Sequence, residues 1–151
     1  ILTDLNLFVA GDLDDKTWEF LDEFDFVFDS SMMGADFSYL KKMKKNKIVV
    51  LPMHWMLDDW VHFGWNMYPS FPYQGNLQSQ ETVYEIWKAE FDGMYDLDEG
   101  CVYILCMHPQ LIGRASRIKM LECLIQHIKQ FPSVWIAKPI ELAREVQKVL
   151  G

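Results

Sequence analysis

The stretch Ile48 to Gly64, IVVLPMHWMLDDWVHFG, decides how the rest of the chain is read. It opens on Ile48, Val49, Val50 and Leu51, an apolar run with no polar alternation. Such a run reads as a strand buried on both faces, as in parallel sheets covered by helices. Pro52 ends it by removing a ladder donor. The loop that follows holds His54, His62, Trp55, Trp60 and the adjacent pair Asp58 and Asp59. Titratable groups just past the carboxyl end of a buried parallel strand stand where open α/β sheets and α/β barrels place their binding sites.

Working outward, the chain alternates between strand and helix signals. Leu5 to Ala10 (LNLFVA) reads as a strand, followed by a helix of about ten residues capped by Asp14 or Asp15. Trp18 and Leu21 face inward on that helix, and Glu19, Asp22 and Glu23 outward. Phe26 to Phe28 reads as a short strand delivering Asp29, Ser30 and Ser31 to a turn at Gly34, and Ala35 to Lys45 as loop with some helix. Ser79 caps a helix with Val83, Ile86, Trp87, Glu90 and Phe91 at helical spacing, and Cys101 to Met107 (CVYILCM) forms a second buried strand. A helix from Ser116 to Gln130 buries Ile118, Leu121, Ile125 and Ile128 while Arg117, Lys119, Glu122 and Lys129 meet water. Val134 to Ala137 makes a last strand, and Pro139 opens a final helix with Leu142, Val146 and Val149 inward. Five strands and four helices in alternation predict an α/β fold with parallel strands, in a single domain covering residues 1–151.

Composition narrows the function classes. With 151 residues, half of them hydrophobic, the chain can bury an ordinary core. Its net charge of -8 argues against a nucleic-acid surface, and the one basic cluster, Lys41 to Lys47, reads as a solvated loop or helix end, or as an anionic-ligand patch. No apolar run approaches the roughly 20 residues of a membrane span, so a soluble protein without a membrane partner is expected. Cys101, Cys106 and Cys123 show no C-x-x-C pairing and read as reduced core thiols, which favours a cytoplasmic location. The start, ILTDLN, has neither an initiator Met nor signal-peptide features, and is expected to lie inside something larger.

The suspect polar residues all follow strands: Asp12; Asp29 with Ser30 and Ser31; His54 with Asp58 and Asp59; and His108. In a parallel sheet these share one rim, where a carboxylate can orient a histidine for general acid or base work. His108 is the strongest candidate; the alternative is a histidine that caps its strand. His54 and His62 are weaker, and His127, mid-helix, reads as solvated. Seven aromatics between Trp55 and Tyr73 (Trp55, Trp60, Phe63, Trp65, Tyr68, Phe71, Tyr73) line a core or subunit contact, or stack on a sugar ring. No two histidines are three or four apart, so spacing shows no metal-ligand pair, and a site of His108, Asp58 and Asp29 stays open. A glycine-rich phosphate loop and a G-x-S-x-G elbow are both absent.

FDSSMMG (Phe28 to Gly34), LPMHWMLDDWVHFG (Leu51 to Gly64), MHPQLIGRASRIKMLECLIQHI (Met107 to Ile128) and VWIAKPIELA (Val134 to Ala143) together resemble the carboxyl-terminal half of a polysaccharide deacetylase, in the branch with peptidoglycan-deacetylase-like and allantoinase-like proteins. The resemblance implies part of an irregular (β/α) barrel. It implies a hydrolase in which a divalent, zinc-like metal activates water against an acetamide or related amide and a histidine protonates the leaving nitrogen. His108 matches that histidine, and Asp58, Asp59 and Trp60 match the aspartate and tryptophan motif beside it. The implied site is catalytic His108, Asp58 and Asp59, with Trp55, Trp60 and His62 binding an acetylated sugar or small amide. The family's aspartate pair and close histidine pair have no counterpart, and its arginine and proline motif meets FVAG at Phe8 to Gly11. No metal is therefore expected on this chain, and activity is expected to need a missing amino-terminal segment. The alternative is a non-catalytic half-barrel for carbohydrate binding or subunit assembly, with a homo-oligomer closing the open sheet.

Overall fold

The computed structural model describes Leu7–Phe8 in its backbone and residues 13–64, 77–97 and 100–151. Asp12, Trp65, Tyr68, Phe71, Tyr73 and the FVAG segment beyond Phe8 lie outside the described residues. The chain divides into two compact units, one of Ile1–Met53, Glu99–Val102 and Trp135–Gly151, the other of His54–Asp98 and Tyr103–Val134.

The first unit holds strands β1 (Leu7–Phe8), β2 (Phe28–Asp29), β3 (Tyr39–Lys42) and β4 (Lys47–Val50) in the order β1-β2-β4-β3, with helices α1 (Asp15–Glu23) and α6 (Pro139–Leu150). β1, β2 and β4 run parallel, and β4 is buried as its apolar run requires: Ile48, Val49, Val50 and Leu51 are at most 2% exposed. α6 packs on β3 and β4. Asp14 caps α1 by accepting from Thr17 N and Thr17 Oγ1, both at 2.7 Å.

Several expectations about this unit are corrected. The sheet is not wholly parallel, because Tyr39 to Lys42, read as loop and helix, forms an antiparallel hairpin with β4 closed by Met43 N donating to Asn46 O at 2.8 Å. The lysine cluster is therefore an edge strand and turn, a position where lysines discourage further pairing. Asp22 does not face water. It is 6% exposed and accepts from Lys45 N at 2.8 Å and Asn46 N at 3.2 Å, so α1 holds the hairpin turn through one carboxylate. Asp22→Ala would strand two amide donors and is expected to lower unfolding stability by about 2 kcal/mol, readable in urea melts. Val134 to Ala137 forms no strand, and Trp135 and Ile136 are exposed. On α6 the buried residue is Ala143, while Val149 is 78% exposed near the helix end.

The second unit is helical: η1 (Trp55–Leu57), α2 (Asp59–Phe63), α3 (Gln80–Leu97), α4 (Pro109–Ile112) and α5 (Ala115–Ile128). Its core joins Leu57, Phe63, Val83, Trp87, Phe91, Ile112, Met120, Leu124 and Ile128. Ser79 Oγ accepts from Thr82 N at the start of α3, and Val83, Trp87 and Phe91 are buried as their spacing requires. On α5 the buried stripe is Met120, Leu124 and Ile128, rotated from the expected one, and Ile118 and Ile125 are exposed. CVYILCM makes no ladder; Cys101 bridges Phe37 and Cys106 bridges Asp58 singly. Cys101 to Cys106 are half-buried, Met107 is exposed, and Tyr103 donates from its hydroxyl to Trp87 O at 2.9 Å. His127 is not solvated: its Nε2 bonds Asp92 Oδ1, while Asp92 Oδ2 accepts from Lys88 at 2.6 Å. No helix among the described residues is long and apolar enough to cross a membrane.

Candidate active site

Asp58 ends η1 and caps α2, its Oδ1 accepting from Trp60 N at 2.7 Å. The cap fixes the next residue, Asp59, which is fully buried, and lifts Trp60 onto the surface at 41% exposed. The backbone around this turn is tied to the Cys106 segment: Asp59 N donates to Cys106 O at 3.0 Å and Cys106 N to Leu57 O at 2.9 Å. That pairing carries His108 to Asp59. His108 N donates to Asp59 Oδ2 at 2.9 Å, and His108 Nδ1 lies 2.6 Å from Asp59 Oδ1. A carboxylate only accepts, so Nδ1 carries the proton of that bond. The backbone past His108 is equally fixed, since its carbonyl accepts from Leu111 N and Ile112 N at the start of α4.

The ring is thus clamped through both its backbone and one nitrogen, and Nε2 is left as the atom able to give or take a proton. The side chain of His108 is 34% exposed, and that of Asp59 is 0%. Trp60 meets the imidazole edge-on, with centroids 5.1 Å apart at 66°. Gly64 permits that placement, because a Cβ there would come within 2.8 Å of Trp60 Cδ1. Asp58 Oδ1 stands 3.8 Å from His108 Nδ1 and makes no short bond to it. The oriented pair is therefore Asp59 and His108, with Asp58 as the cap.

The other expected residues are placed differently. His54 is exposed and caps η1, its Nδ1 accepting from Met56 N at 3.1 Å. His62 is 4% exposed and is held by Met56 O at 2.8 Å from Nε2 and by Gln78 Oε1 at 3.2 Å from Nδ1. Met56 O also accepts from Trp87 Nε1 at 2.8 Å, so His62 braces η1 against the core. Trp55 is 52% exposed. Asp29 belongs to the first unit, where Ser31 Oγ donates to it at 2.7 Å; burial pushes its carboxyl above the usual range against the lowering by Ser31.

Two participants were not read from the sequence. Arg117, expected to meet water, lies 4.2 Å over the Phe63 ring and donates from Nη1 to Leu111 O at 2.9 Å, bracing α4 behind His108. Cys106 is not a plain core thiol. Burial, then the charge of Asp58 and a bond donated to it, push the thiol up to about 11. Its thiolate fraction at pH 8 is therefore well below that of an ordinary thiol. Iodoacetamide is therefore expected to label exposed Cys123 long before Cys106, as peptide mapping of a time course would show.

Among the described residues, Asp58, Cys106 and His108 bring one ligand atom each within 4.8 Å of one another. This set does not fit a metal whose task is to activate water for the same histidine. One ring nitrogen is held by Asp59, and a histidine that exchanges a proton with that water would need the other, so ligation would remove one of the two.

Three solved structures share this mixed α/β fold. A protein described as a polysaccharide deacetylase from Mycobacterium smegmatis superposes with a TM-score of 0.86 at 30% identity, over 97% of this chain and 51% of its own. The PuuE allantoinase matches with a TM-score of 0.79 at 21% identity, over 94% of this chain and 46% of its own. A protein described as a polysaccharide deacetylase from Pseudomonas aeruginosa PAO1 matches at 0.78 and 22%, with the same coverage of 94% and 46%. The chain spans about half the length of each. No family model matches the sequence, and no curated protein matches it. A small sheet with many helices fits part of a (β/α) barrel, and the chain resembles the polysaccharide deacetylases and allantoinase across nearly all its residues.

Proposed function

We propose that the chain supplies the leaving-group side of a hydrolase of the carbohydrate esterase and amidohydrolase kind, acting on an acetamide or related non-peptide C–N bond. The observation that carries this reading is the buried Asp59 carboxylate gripping both the backbone and the ring of a half-exposed His108. As water adds to the amide carbon and the C–N bond breaks, His108 in its imidazolium form gives the Nε2 proton to the departing nitrogen. It ends neutral, with Nδ1–H still on Asp59. Asp59 is a positioning residue that holds the ring through Nδ1 during the step. In the family that the chain resembles, a divalent metal supplies the activated water, and in this reading that part of the chemistry comes from outside this chain.

The substrate in this reading is an acetylated sugar or a small amide, with exposed Trp55 and Trp60 offering apolar faces to it. Completion of the barrel falls to an amino-terminal segment or a second copy. A cytoplasmic setting goes with it, supported by Cys101, Cys106 and Cys123, which form no disulfide among the described residues. The test is an assay of acetylated chito-oligosaccharides and of allantoin with the product of the full open reading frame and with this chain alone. Turnover by the full product that is lost in His108→Gln is expected; turnover that survives His108→Gln overturns the reading. The same two tryptophans favour a second reading, a non-catalytic carbohydrate-binding half-barrel. Saturable sugar binding with no turnover in the full product would select it.

A further inference from the structure

We propose that Asp58, Cys106 and His108 form a binding site for a thiophilic divalent cation of the zinc and cadmium class. Its donors are one carboxylate, one thiol and one imidazole, unlike the aspartate and histidine set that the family resemblance implies. The backbone builds this set. Asp58 and Cys106 are bridge partners in parallel register, so their side chains stand side by side. His108 follows Cys106 by two residues along extended backbone, with φ -107 and ψ 123 at His108, so both side chains leave the same face.

The three ligand atoms lie within 4.8 Å of one another. A tetrahedral ion with bonds of about 2.0–2.3 Å separates its donors by about 3.3–3.8 Å, so closing the site takes side-chain displacements of about 1 Å. The Asp58 side chain is 11% exposed and that of His108 34%, which leaves the histidine side open for entry. A thiol in the set selects zinc and cadmium over magnesium and calcium, which prefer oxygen donors. On binding, the sulfur–hydrogen bond of Cys106 breaks, its proton goes to water, and the sulfur pair forms the metal bond. Asp58 and the thiolate then balance the two positive charges.

An ion held through Nε2, with Nδ1–H still on Asp59, takes the nitrogen that would deliver the proton and so blocks that step. That inhibitory consequence rests on the proposed function; the binding itself does not. The experiment reads binding alone, on the chain with Cys101→Ser and Cys123→Ser so that one thiol remains. Cadmium is titrated in and the ultraviolet thiolate-to-cadmium charge-transfer band is followed, with circular dichroism checking the fold. One equivalent per chain is expected, with Cys106→Ser abolishing the band and His108→Gln or Asp58→Asn weakening the affinity at least tenfold. No band, or affinity unchanged in both His108→Gln and Asp58→Asn, overturns the site. If one variant unfolds, the other decides.

Discussion

Asp59→Asn in the product of the full open reading frame should lower kcat for the amide substrate by about 10²–10⁴-fold with KM little changed. Asparagine matches the shape of the buried side chain but has one oxygen where the carboxylate has two. Asp59 uses both, Oδ2 for His108 N and Oδ1 for His108 Nδ1. An amide nitrogen facing Nδ1 donates rather than accepts, so the ring must turn its proton to Nε2 or leave its position. Either way the ring loses the bond that holds Nε2 in place for a proton transfer. His108→Gln should cost as much, and the double variant no more than His108→Gln alone, because the two residues act as one unit. Steady-state kinetics, normalised to folded protein, measures this. Additive losses, or Asp59→Asn turnover within threefold of the parent, would mean that the pair does not act together.

The second large effect is on stability. Trp87 is fully buried at the centre of the helical unit; its indole N–H donates to Met56 O and its own carbonyl accepts from Tyr103. Trp87→Ala removes the largest buried side chain there and is expected to cost about 3–5 kcal/mol, a large share of a net stability of about 5–15 kcal/mol. Trp87→Phe should cost less, because the ring volume mostly stays and Met56 O keeps the bond from His62 Nε2. Urea unfolding followed by circular dichroism would rank them. An alanine variant as stable as the phenylalanine one would show that packing around Trp87 does not hold the unit together. The consequence reaches the site, since Met56 lies in η1, directly before Asp58 and Asp59.

Ile48 to Leu51 could be read because a full apolar run has one cheap place in a fold, and Asp14, Ser79 and Pro139 mark helix starts through local chemistry that needs no tertiary partner. Tyr39 to Lys42 could not, since its lysines hide the alternation and its strand state depends on pairing with β4. The face of α5 was lost for another reason. Ile118, Leu121 and Ile125 compete at the same period with Met120 and Leu124, and only the packed neighbour chooses between the two stripes. Asp22 and Arg117 were assigned to water by residue type, whereas the hairpin amides and the Phe63 ring give them partners that are distant in sequence.

At the site, the residue types were legible and the pairing was not. Asp58 and Asp59 look alike as sequence, and only the turn that makes one a cap and buries the other assigns the partner of His108. Cys106 sits in an apolar run, so nothing in its neighbours along the chain signals the bridge that sets it beside Asp58.

Asp59 fixes His108 with the proton on Nδ1 and leaves Nε2 outside that bond. A long-range ¹⁵N–¹H correlation spectrum of histidine-labelled protein, with His108 assigned through His108→Gln, tests it directly. The neutral ring is expected to show a protonated Nδ1 and an unprotonated Nε2, and Asp59→Asn is expected to reverse that pattern. A neutral ring with its proton on Nε2 in the parent protein would mean that Asp59 does not set the tautomer of His108.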